Sequence, residues 1–135
     1  MKDSTRVRAM PTKAAVLIVS IIVVFFATFL ASTVWGLLAG AVAIVLVGTA
    51  AVVVCARNFR VEGESDAPRP WWKLTGQPLA GYFVGLIAVL QAGSQAISGA
   101  GIAEPSQLIV GIWYLLVAAA FFHSSWRLRS IAAAD

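Results

Sequence analysis

AVLIVSIIVVFFATFLA, residues 15–31, runs without a single charge and with polar side chains only at Ser20 and Thr28. A helix rises about 1.5 Å per residue and needs about 20 mostly apolar residues to cross about 30 Å of hydrocarbon. With its flanks from Lys13 to Thr33, this stretch has that length. Its many β-branched residues suit lipid. A cleaved signal peptide is the rival reading, but the apolar core exceeds the usual 7–15 residues, and no small-x-small site precedes Trp35. The stretch therefore predicts a membrane-spanning helix.

Three further apolar runs have the same length, at residues 37–56, 79–98 and 107–126. Together the four runs make one membrane domain over residues 13–126. Around it lie a basic leader (residues 1–12), a cytoplasmic loop (residues 57–78) and a short tail (residues 127–135). The composition agrees, with 60% hydrophobic and 12% charged residues, and leaves no stretch long enough for a soluble domain.

Charge orients the runs. Lys2, Arg6, Arg8 and Lys13 precede the first, Arg57, Arg60, Arg69 and Lys73 fall between the second and third, and Arg127 and Arg129 follow the fourth. The other two connectors, residues 32–36 and 98–106, carry no basic residue, and Glu104 is their one charge. Basic loops stay in the cytoplasm, so the expected fold is an all-α, up-down-up-down four-helix transmembrane bundle with both termini inside. A net charge of +4 would point to nucleic acid in a soluble protein. Here the positive-inside rule accounts for it, and anionic lipid at the cytoplasmic face is the expected partner.

Aromatic residues fit that placement. Trp71, Trp72 and Lys73 after Pro70 read as an interfacial anchor, with Tyr82 and Trp126 at the same level. Trp35, Trp113 and Tyr114 are expected toward the outer level. The loop itself mixes Glu62, Glu64 and Asp66 with basic residues and with Gly63, Pro68 and Pro70, the composition of a solvated, flexible linker.

The strongest candidate site is a polar stripe on the third run: Gln91, Ser94, Gln95 and Ser98. Offsets of 0, 3, 4 and 7 place them on one helical face. Amides facing lipid lose hydrogen bonds, so the face is expected to point into the bundle, toward partners such as Thr28 or Ser32 on the first run, or to line a wet path. Small residues mark expected helix contacts: Gly36 with Gly40, and Gly81 with Gly85, continued by Ala88 and Ala92.

Other chemistry finds no footing. Cys55 is the one cysteine, so neither an internal disulfide nor a cysteine metal cluster can form. His123 is the one histidine and cannot supply paired haem ligands. No Asp, Glu, Lys or Arg lies in the interior of any run, and no catalytic triad or nucleotide loop is present. The chain is similar in size and span number to small four-helix multidrug exporters. It lacks the buried carboxylate they keep in their first helix, so the resemblance extends to topology alone.

The expectation is a non-enzymatic multi-pass protein of the cell membrane, without metal or cofactor. It would serve as a structural, accessory or interaction protein, packing with itself or with a larger complex. A small oligomeric transporter or channel, with the Gln91 stripe lining its path, is the alternative.

Overall fold

A computed structural model describes residues 10–61, 63–65, 67–98 and 104–135. It contains four helices: α1 Met10–Trp35, α2 Leu37–Asn58, α3 Pro78–Ser98 and α4 Pro105–Ala134. All four are long and apolar enough to cross a membrane, and the described residues contain no strand. The chain is a multi-pass membrane protein. Most of the basic leader, together with Glu62, Asp66 and the middle of the connector between α3 and α4, lies outside the described residues.

The helix boundaries follow local chemistry. Pro78 and Pro105 open α3 and α4, where a missing N–H costs nothing and the ring presets φ. Between α1 and α2 there is only Gly36, at φ 91°, a left-handed conformation that other residues adopt at a cost. Its N–H donates to Ser32 O at 3.0 Å while its carbonyl accepts from Gly40 N at 3.2 Å, so one helix ends and the next begins on a single residue. Gly36 was expected as a packing glycine beside Gly40. Nothing lies within 4 Å of where its Cβ would be, so its contribution is the turn.

At the other end, α4 continues to Ala134, through the residues expected to form a tail. No Gly or Pro follows Trp126, and Ala132, Ala133 and Ala134 have the best helix propensity. Its 30 residues extend about 45 Å, well beyond the hydrocarbon.

The helices contact one another in a row. α1 touches α2, α2 also touches α4, and α4 also touches α3; among the described residues no other pair meets. This arrangement follows from which faces are small. The buried apolar positions are Ala41, Ala56, Ala88, Ala92, Val110, Ala118 and Phe121, with Gly40 and Gly48 beside them. A methyl on Gly40 would collide with Ser32 Oγ, and one on Gly81 with Ser125 Oγ. On Gly85 it would come within 2.7 Å of the Phe122 ring, and on Gly48 within 2.7 Å of the Trp113 ring. Backbones thus approach where side chains are absent, the usual basis of helix association in lipid. α1 has no buried residue at all and presents Phe25, Phe26 and Phe29 outward.

Candidate functional site

The largest polar assembly among the described residues is in the loop between α2 and α3, where a stretch with the composition of a flexible linker carries a hydrogen-bonded network. Glu64 sits at its centre. Arg69 grips the carboxylate with two hydrogen bonds, Nε to Oε1 at 2.8 Å and Nη2 to Oε2 at 2.5 Å. Such paired, charge-assisted bonds match the planar guanidinium to the planar carboxylate. Arg60 Nη1 approaches Oε1 at 3.4 Å and Lys73 Nζ at 3.3 Å, while the Val61 N–H donates to Oε2 at 3.1 Å. The hydrogen bond from Arg69 is the main reason the Glu64 carboxyl is held well below the usual carboxylate range. Burial opposes this, while the Val61 N–H and the charges of Arg69 and Lys73 reinforce it.

From this centre, bonds run to the helices. The last carbonyls of a helix lack internal partners and carry a partial negative charge. Arg69 Nη1 donates to one of them, Ala56 O of α2, at 2.9 Å. Arg57, on the last turn of α2, returns a bond to Arg69 O at 2.8 Å. Lys13 of α1 donates to Arg60 O at 2.5 Å. The Leu74 N–H donates to Ser124 Oγ of α4 at 2.9 Å, and the Arg127 guanidinium lies 4.5 Å above the centre of the Trp72 ring. Arg60 and Arg69 are 3% and 5% exposed, so these two cations are committed to the fold rather than to lipid headgroups. Gly76 lets the chain pass close by, because a Cβ there would strike Val61 and crowd both Arg69 and Glu64.

Ser32, Thr28 and the α3 stripe do not meet, since α1 and α3 are not in contact. Thr28 Oγ1 bonds back to Val24 O of its own helix at 2.8 Å, and Ser32 is taken up against Gly40. The stripe divides. Gln91 and Ser94 are exposed on α3, and Ser94 Oγ donates to Gln91 O at 2.8 Å. Gln95 is half-buried and lines a cleft of about 190 Å³ between α3 and α4, together with Gln107, Gly111 and Leu115. Ser98 closes α3, and its side chain lies outside the described set.

Of the aromatic residues, Trp71 and Trp126 are strongly exposed while Trp72 is half-covered by Arg127. Trp113 packs against α2. Its ring covers Gly48, and its Nε1 donates to Thr49 Oγ1 at 2.9 Å, more than halfway along α2. This is a cross-helix bond between α2 and α4 within the apolar zone. Thr49→Val is expected to weaken the fold by about 0.6–1.7 kcal/mol. In a double-mutant cycle, Trp113→Phe added to Thr49→Val should remove little more of the hydrogen-bond energy. Fully additive losses would mean the bond carries none.

The described residues contain no group of three or more His, Cys, Asp and Glu side chains able to hold a metal ion. His123 is exposed near the end of the apolar part of α4, and Cys55 is partly buried. Sequence reasoning did not foresee the Glu64 assembly, the Leu74–Ser124 bond or the Thr49–Trp113 bond. The one available signal was Glu64 set four residues after Arg60 and five before Arg69.

Comparison with protein-family models, with curated proteins and with solved structures finds no match to this chain. Its class therefore rests on its own architecture: a multi-pass membrane protein whose helices are tied together at one end by a folded, charged loop.

Proposed function

We propose that the chain is a four-span protein of the cell membrane, running up-down-up-down with both termini cytoplasmic, and that it works without catalysis as a structural or accessory interaction protein. The observation that carries this reading is the loop built around Glu64. It engages α1 through Lys13, α2 through Ala56 and α4 through Ser124, and so fixes the helix ends against one another. Such a device holds a fixed scaffold, whereas a carrier must rock between states.

The helix order supports the same view. A row of four helices encloses no central polar path, and its broad apolar faces are open to lipid or to other helices. The alternation of directions is supported by contacts at both ends of each hairpin. Lys13 meets Arg60 while Ser32 meets Gly40; Gly81 meets Ser125 while Gln95 lies near Gly111. With the basic residues at the loop end, the positive-inside rule puts that end in the cytoplasm. There Arg57, Lys73 and Arg127 remain at least partly exposed for anionic headgroups.

Reporter fusions after Ala67 and at the C-terminus are expected to report cytoplasm, and fusions beside Trp35 and Glu104 the outer side. An external C-terminus would overturn the arrangement. Gentle purification from the native membrane tests the role itself, with a stoichiometric larger partner as the expected result. The second reading, an oligomeric transporter, draws on the exposure of Gln91 and Ser94. A polar path along them would have to be completed by another copy. Solute flux through the purified chain, abolished by Gln91→Leu, would move that reading to first place.

A further inference from the structure

α3 carries three stripes of different character. Gly81, Gly85, Ala88 and Ala92 are buried on the side of α4. Leu79, Phe83, Leu86, Leu90 and Ile97 are exposed and large, as lipid-facing residues are. The third stripe is Ala80, Val84, Ile87, Gln91, Ser94 and, by register position, Ser98. Its first five members are all exposed. Its spacing alternates four and three residues throughout, the 3.5-residue period of a left-handed coiled-coil seam.

This third stripe suits lipid poorly. Gln91 lies thirteen residues beyond Pro78, about 20 Å along the axis, and about 10 Å short of the last residue, Ser98. A carboxamide's two N–H donors and two acceptor lone pairs are costly to leave to hydrocarbon at that depth. Among the described residues, Ser94 Oγ approaches Gln91 Oε1 at 3.5 Å.

We infer that the Ala80–Val84–Ile87–Gln91–Ser94 stripe is the contact between two copies of this chain. A carboxamide both donates and accepts, so it is complementary to itself. A twofold axis beside Gln91 sets it against the partner's identical residue, and each amide donates to the other's oxygen. A single polar residue in an otherwise apolar seam also fixes register, since any slip leaves both amides unpaired. Ala80 and Ser94 are small enough for the backbones to close on either side. The inference rests on the interaction-protein reading and names its first partner.

The test uses the full chain carrying Cys55→Ser, reconstituted in phosphatidylcholine–phosphatidylglycerol vesicles. Single cysteines are placed at Ile87 on the seam and at Leu90 on the lipid-facing stripe. Oxidation should yield covalent dimer efficiently from Ile87→Cys and poorly from Leu90→Cys. Adding Gln91→Leu should weaken dimerisation about 5- to 30-fold, and Gln91→Asn should restore part of it. Equal cross-linking at both positions, or no effect of Gln91→Leu, would overturn the inference. So would cross-linking of Ile87→Cys to a different protein in native membranes. Labelling of Ile87→Cys by a charged aqueous thiol reagent would sink both the seam and the scaffold reading, because it reveals a wet path. A dry, dimeric seam with no larger protein co-purifying would uphold the inference and count against the accessory role alone.

Discussion

Glu64→Ala is expected to lower the stability of the folded chain by about 3 kcal/mol, the low end for breaking a buried ion pair, since the Glu64 side chain keeps 13% exposure. The loss comes less from the missing attraction than from what remains. Arg60 and Arg69 are almost wholly buried and would stay so without their counter-ion. Arg69 would keep Ala56 O and, at 3.5 Å, Leu74 O, but neither carries a charge. Lys73→Ala makes the contrast: its side chain is 24% exposed, its ammonium can turn to water, and it should matter by less than about 1 kcal/mol. Unfolding by a denaturing detergent measures both. A change below about 1 kcal/mol for Glu64→Ala would mean that the loop does not hold the helix ends.

The same carboxylate gives the fold an acid dependence of known sign. Its folded-state pKa is lowered, above all by the hydrogen bond from Arg69. A lowered value means the ionised group stabilises the fold fully above its unfolded pKa, about 4.3, and progressively less as pH falls below that. Stability is therefore expected to be insensitive to Glu64 between about pH 6 and 8 and to fall below about pH 4. Glu64→Gln should flatten that acid limb. An unchanged acid limb would assign the pH dependence to other groups.

The four helices were legible because their signal is local. A run such as residues 15–31 needs no tertiary information to exclude water, and Pro78 and Pro105 mark their own helix starts. What escaped the sequence depends on contacts between residues far apart in the chain. The row order α1–α2–α4–α3 is set by which glycines meet which side chains, and Gly36 and Gly40 look alike until only Gly40 is found against Ser32. The network within the loop escaped for the same reason. Glycine, proline and mixed charges are the composition of a linker, yet Arg69 reaches back thirteen residues to Ala56, and Leu74 reaches forward fifty to Ser124. The polar stripe on α3 was legible as a face, but which neighbour it met was not: Gln95 turns toward α4 while Gln91 remains outside.

Gly81→Val should separate α3 from α4 more than any other single substitution on α3. A Cβ at residue 81 collides with Ser125 Oγ, comes within 3.1 Å of Thr75 Oγ1 and within 3.3 Å of Phe121 O. The hydroxyls could turn, but the Phe121 carbonyl belongs to the α4 backbone and cannot. Ser125 is fully buried, so its side chain has little space into which to retreat. Overpacking of this kind costs about 1–3 kcal/mol, and the two methyls beyond the Cβ place valine at about 3. Gly81→Ala should cost less and be partly rescued by Ser125→Ala, which removes the colliding oxygen but leaves the carbonyl. Gly93 provides the opposite sign on the same helix. Nothing lies within 4 Å of its would-be Cβ, so Gly93→Ala is expected to stabilise by about 0.5–1 kcal/mol through helix propensity alone. The measured quantity is again the detergent unfolding midpoint, read beside helical content. If Gly81→Val and Gly93→Ala behave alike, α3 and α4 do not pack through this face. The placement of the Gln91 stripe away from α4, and the seam built on it, would fall with that contact.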